Sequence, residues 1–207
     1  SGFTWISAEA GAATDSTRIV VQVVASIQLT PDSTSLASIG ETVSFEAIIK
    51  ATNGSSIAGA SPTWSSADTL VLAVDAEGIA TARSNGSVEV FATLRGVVGT
   101  AVVVVRQVAV SIDVTPGDRT LTVGDTEAFA AQAQDARGWE LSGESVTWES
   151  RDPNVATVNV DGVVTPIARG ETYVVARADN TADSSLVTIR TGWVDISAGR
   201  DHTCAVH

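Results

Sequence analysis

The residues best equipped for chemistry stand at the far end of the chain. His202 follows Asp201 and lies two residues before Cys204, the types that build a nucleophile, its base and an orienting carboxylate. Neighbours on an extended segment point to opposite faces, so Asp201 is poorly placed to orient His202. The second histidine is His207, and Cys204 is the single cysteine. An internal disulfide and a cysteine-rich zinc site are therefore excluded. The chain contains no G-x-S-x-G elbow, Walker loop, H-E-x-x-H pair or dinucleotide fingerprint. No residue is assigned to catalysis, to a cofactor or to a metal, and the expectation is a protein that is not an enzyme.

The carboxylates offer one candidate cation site. Asp113, Asp118 and Asp125, or Asp152 with Asp161, would meet at one end of a β-sandwich, and Ca²⁺ takes roughly six to eight oxygen ligands. No EF-hand loop or D-x-D-x-D-G run is present, and acidic residues in turns are ordinary. No cofactor is expected, with Ca²⁺ as the alternative. Trp139, in "ARGWELSG", falls in a loop, where a tryptophan either packs on its own domain or stacks on a sugar ring.

The elements that must hold these residues are strands. Val, Thr, Ser and Ala dominate, and no stretch spaces its apolar residues at helical period over three turns. "VVGTAVVVV" is far too short to span a membrane as a helix. With Asp and Glu at 24 against 12 Lys and Arg, the net charge is −12. That balance excludes nucleic acid, whose phosphates must be met by clustered cations. The start, "SGFTWISAEA", has neither the basic n-region nor the apolar h-region of a signal peptide.

One pattern organises the rest. "TWSSADTLVLAVDAEGIATA" from Thr63 is echoed by "TWESRDPNVATVNVDGVVTP" from Thr147, 84 residues on. Gly40-Glu41-Thr42 falls on Gly124-Asp125-Thr126, Gly78 on Gly162 and Gly86 on Gly170. Upstream the offset becomes 85, where "SIQLTP" ending at Pro31 matches "SIDVTP" ending at Pro116. Each copy divides into about seven alternating segments with turns every 8–12 residues or so, the pattern of an antiparallel sandwich. Trp64 and Trp148 stand at equivalent strand positions and are expected as buried core anchors. "DAEG" and "NVDG" put Gly where a tight turn needs positive φ. The Asn-Gly-Ser triplets at Asn53 and Asn85 are read as turns rather than glycosylation sites.

The "SIxLTP" opening, the "GET" turn, the "TWSSxDxxVAxVDxxGxVTA" centre and the "GxxxVxA" closing strand resemble the bacterial immunoglobulin-like domain, group 2. The resemblance covers residues 25–107 and 108–191. It implies an all-β fold of tandem immunoglobulin-like antiparallel β-sandwiches of about seven strands each, on a bacterial extracellular or cell-surface protein.

Residues 1–24 align with the closing hairpin of the repeat, Gly2 taking the place of Gly86. They read as the last two strands of a truncated preceding domain, an isolated pair that is marginal without partners. Residues 192–207, with "VDISAGRDHTCAVH", resemble the start of a propeller repeat of the regulator-of-chromosome-condensation type. The linker "VVRQVAVSI" has no Gly or Pro and predicts a stiff joint.

The function expected is a non-enzymatic stalk, spacer or adhesin segment. Its partners are other copies of itself or neighbouring domains of the same chain, and the orphan ends suggest end-to-end assembly. The alternatives are a module that binds a surface glycan, a host protein or a cell-wall polymer, and an accessory module of a larger secreted hydrolase.

Overall fold

The computed structural model describes residues 2–10, 13–141, 146–192, 195–198 and 203–206. The chain divides into two units, residues 1–107 and 108–207. Every regular element among the described residues is a strand.

The first unit opens with a hairpin, β1 (Gly2–Ala10) and β2 (Ala13–Val21). A sandwich follows, from β3 (Val24–Thr30), β4 (Ser33–Leu36), β5 (Thr42–Ser44), β6 (Glu46–Ala51), β7 (Thr63–Ser66), β8 (Leu72–Val74), β9 (Ile79–Ala82), β10 (Gly86–Leu94) and β11 (Val97–Val105). One face pairs β3 with β6 and carries β5-β9-β8; the other runs β4-β11-β10-β7. β3 and β4 are one strand broken at Pro31, and β5 and β6 are one strand broken at Phe45. Counted so, the expected seven strands are present.

The second unit repeats the scheme with β12 (Ser111–Thr115), β13 (Arg119–Thr122), β14 (Glu127–Ala128), β15 (Ala130–Gln134), β16 (Thr147–Ser150), β17 (Ala156–Val158), β18 (Val163–Pro166), β19 (Gly170–Ala178) and β20 (Thr181–Arg190). Its sheets are β13-β20-β19-β16 opposite β12-β15 and β14-β18-β17. The short strands β21 (Asp195–Ala198) and β22 (Thr203–Val206) pair with each other.

Alternation drives this folding. β11 reads as almost unbroken valine, yet its side chains are buried at every second position, Val103 and Val105 inward and Val102 and Val104 outward. Leu29, Leu72 and Val90 meet them in the first core, and Val164, Val174, Val187 and Ile189 build the second.

The duplication reaches individual bonds. Phe45 N–H donates to the Gly78 carbonyl at 2.9 Å, and Phe129 N–H to that of Gly162 at 2.9 Å. Asp75 Oδ1 accepts from Glu77 and Ile79, as Asn159 Oδ1 accepts from Asp161 and Val163. Gly78 and Gly162 take φ of 82° and 78°, as the turn reading predicts.

Two expectations need correction. The sandwiches are not wholly antiparallel: β4 pairs in parallel with β11, and β13 with β20. Beyond Pro31 and Pro116 the first strand resumes on the opposite sheet, where it runs alongside the last strand in the same direction. The second correction concerns the tryptophans. Trp64 and Trp148 are half-buried rather than buried, because β7 and β16 are edge strands and each ring faces the core from one side. Trp64 closes that edge, with its ring centroid 6.3 Å from that of Phe45.

Candidate functional site

The strands that carry the two ends of each sandwich are tied together. In the first unit the parallel ladder runs from Ser33 opposite Val102 to Leu36 opposite Val105. Val102 N–H donates to the Asp32 carbonyl at 3.0 Å and Arg106 N–H to that of Leu36 at 2.9 Å. In the second unit Arg119 to Thr122 pair with Val187 to Arg190, and side chains add straps. Asp183 Oδ2 accepts from Val114 N–H at 2.8 Å, linking β20 to β12. The Ser185 hydroxyl donates to the Pro116 carbonyl at 2.9 Å. Asp118 Oδ1 accepts from Leu186 N–H at 3.0 Å. The positions of Asp183 and Ser185 are held in the first unit by Gly99 and Ala101, which have nothing to offer. The sequence signal for the Asp183 and Ser185 straps is a polar residue at an inward strand position where the other copy has a small one.

The Trp139 loop is the second feature. Its backbone is pinned: Asp135, 2% exposed, accepts through Oδ1 from Arg137 N–H at 2.9 Å and Trp139 N–H at 3.1 Å. Asp135 N–H donates to the Trp139 carbonyl at 2.9 Å. The first unit makes the same turn, Ala51 N–H to the Ser55 carbonyl at 2.8 Å, with Ser55 at the tryptophan's position. The Trp139 side chain is 57% exposed. Packing on its own domain, one of the two readings above, is therefore not how most of this ring is used. The loop fold does not need it, since serine holds the same geometry.

The remaining candidates are not brought together. The Asp118 carboxylate caps Leu186, and Asp152 Oδ1 accepts from Asn154 N–H at 3.0 Å. Asp161 lies in the β17–β18 turn, its N–H given to Asn159. Among the described residues, no three His, Cys, Asp or Glu side chains cluster in a way that could hold a metal. A groove of about 380 Å³ is lined by Val21, Gln22, Val24, Ile57, Ala60, Leu94 and Arg95. Another, of about 610 Å³, lies along Phe129, Val146, Trp148 and Asp161. Neither lining pairs a nucleophile with a base. Asp201, His202 and His207 lie outside the described residues, and for Cys204 the description extends to its place in β22. Asn53 caps the turn at Gly54 by accepting from Ser55 N–H at 3.1 Å, and Asn85 Oδ1 accepts from Gln107 N–H at 2.8 Å.

One face of the β1–β2 hairpin carries two further exposed aromatics. Phe3 is 62% and Trp5 58% exposed. The Arg18 guanidinium lies 4.6 Å from the Phe3 ring centroid, a cation–π contact.

These features define an all-β protein built of immunoglobulin-like sandwiches. Residues 108–189 match the family described as the bacterial Ig-like domain, group 2. Over 129 residues the chain is 33% identical to Ice-binding protein 1 of Shewanella frigidimarina, a match covering 61% of this chain and 14% of that protein. It is also similar in structure to domains 1–6 of the surface layer protein SbsC, at 18% identity and a TM-score of 0.40, covering 95% of this chain and 33% of that one. The Yersinia pseudotuberculosis adhesin InvE is matched at 12% identity and a TM-score of 0.45, over 86% of this chain and 66% of the adhesin. The chain thus spans a minor part of the curated relative. Among the described residues, no helix is long and apolar enough to cross a membrane.

Proposed function

We propose that this chain is part of a non-enzymatic array of sandwich modules on the bacterial surface or outside the cell, acting as a stalk or spacer that bears load. The observation that carries the reading is the parallel pairing of first and last strands, β4 with β11 and β13 with β20. A pull on the two ends of such a module draws the paired strands in opposite directions along their own axes. Every rung of the ladder then resists at once, whereas strands pulled apart sideways lose their bonds one by one. Hydrogen bonds worth about 1 kcal/mol each in equilibrium become a mechanical clamp when loaded together. The duplication fits this reading, because adding modules adds length without requiring a cleft.

Surface placement is supported by the bacterial Ig-like family matched at residues 108–189. The Shewanella relative is named for binding ice; we read the match to 14% of its length as a shared module rather than shared ice binding.

Directional pulling on single molecules tests the proposal. Force applied at residues 25 and 107 should unfold the first sandwich at several times the force needed when the handles sit at positions 86 and 105, which unzips β10 from β11. Equal forces in the two geometries would rule out a clamp. A glycan-binding reading is favoured by one observation, the exposed Trp139 on its pinned loop. Saturable binding to a polysaccharide, lost in Trp139→Ala, would support it.

A further inference from the structure

The β1–β2 hairpin carries the residue pattern of a sandwich's closing hairpin. Its nine pairs run from Gly2 opposite Val21 to Ala10 opposite Ala13. The closing hairpins of the two sandwiches have the same register 84 and 168 residues on, Gly86 opposite Val105 and Gly170 opposite Ile189. In the second unit the inward positions of that hairpin are Thr172, Val174, Ala176, Ser185, Val187 and Ile189, all buried. The N-terminal hairpin places Thr4, Ile6, Ala8, Thr17, Ile19 and Val21 at those positions.

Two of the matches are hydroxyls in an otherwise apolar set. Thr172 Oγ1 accepts from Asp152 N–H at 2.8 Å, and the Ser185 hydroxyl donates to the Pro116 carbonyl at 2.9 Å. The first unit has Val88 and Ala101 there instead. A hydroxyl buried without a partner is costly, so Thr4 and Thr17 suit a sandwich whose opening strands present an N–H and a carbonyl as those of the second unit do. In the present structure β1 and β2 pair with each other and with no other described strand. Thr4 and Thr17 are exposed, and Ile6 is 54% exposed.

We infer that β1–β2 is the closing hairpin of a further sandwich, and that it docks the opening strands of a third repeat of the second unit's type. Along β1 it takes an antiparallel strand equivalent to β16, and along β2 a parallel strand equivalent to β13. The second sheet covers Ile6, Ala8 and Val21. A second copy of these 207 residues is a poor occupant, because its own opening strands already engage β10–β11 and β19–β20. The inference goes beyond the load-bearing reading and does not depend on it.

The test is a fusion in which residues 108–169 are placed ahead of Gly2, so that Arg169 meets Gly2 as it meets Gly170 in the second unit. A parallel fusion carries residues 24–85, the opening strands of the first unit. In the 108–169 fusion the amides of residues 2–21 should exchange more than about a hundredfold more slowly than in the parent chain. The 24–85 fusion should protect them less. Thr4→Val should reverse much of the gain in the first fusion and change nothing in the parent. The idea is overturned if these amides exchange at the parent rate in both fusions. It is equally overturned if they are already protected in the parent chain and the parent sediments as a dimer, which would make a second copy the occupant.

Discussion

Replacing Gly78 by alanine tests how the half-buried tryptophan closes the sandwich. Gly78 sits at φ +82°, and a Cβ there would lie 2.8 Å from two ring atoms of Trp64 and 2.9 Å from the Phe45 carbonyl oxygen. Two costs are combined. The left-handed backbone costs an alanine about 1–2 kcal/mol. The contacts force the ring or the strand to shift, an overpacking cost of about 1–3 kcal/mol. Gly54 separates them, because it takes φ +80° in the same unit with nothing within 4 Å of its Cβ position. Gly54→Ala therefore measures the backbone cost alone. Gly78→Ala should exceed it by about 1–3 kcal/mol. Native-state hydrogen exchange at Val90 and Val103, both fully buried in the first core, reads the opening free energy of that unit by itself. In a Trp64→Leu background the excess should shrink, a coupling that a double-mutant cycle isolates. If Gly78→Ala costs no more than Gly54→Ala, the packing of Trp64 on this turn is wrong, and with it the closure of the edge.

Trp64→Ala and Trp148→Ala should each destabilise their own unit by about 2–3 kcal/mol, at or below the lower end of the range for fully buried aromatics; core amide exchange in each unit checks this. Trp139→Ser should leave stability within about 0.5 kcal/mol of the parent, since Ser55 holds the same turn; a larger loss in urea denaturation would mean that the ring packs after all. Asp135→Ala should cost about 1–3 kcal/mol by leaving the loop N–H groups unsatisfied, whereas Asp135→Asn keeps the acceptor and should cost less than half as much. The second unit's exchange rates distinguish the two.

What could be read from the chain follows the range of each interaction. The turns at Gly78 and Gly162 and the alternation of β10 and β11 are local patterns, and they appear where expected. β3 and β12 stop just before Pro31 and Pro116, which have no N–H to extend a ladder, but the next step is hidden. "STSL" and "RTLT" are too short and too polar to announce a strand that changes sheets and pairs in parallel. That pairing is decided by where the chain emerges relative to β11 and β20. Trp64 is half-buried rather than buried for the same reason, since a strand's position at a sheet edge is a property of the whole topology. Asp135 has no counterpart in the repeat pattern, since the first unit has Ala51 at the residue that opens the loop. The acidic residues weighed as cation ligands show a different lesson. A carboxylate in a turn has backbone N–H groups within reach, and Asp118 and Asp152 use them.

The most direct test of the load-bearing claim is to stretch the whole chain by its two ends at increasing force. Each sandwich should open in one discrete step that releases roughly 250 Å of chain. The two steps should have equal length and unequal force. The stronger belongs to the second unit, whose Asp183 and Ser185 strap the closing strand to β12 and Pro116. Asp183→Ala should bring the stronger step down toward the weaker and leave the weaker one in place. Gradual extension without discrete steps, or two steps that Asp183→Ala leaves unmoved, would contradict the account.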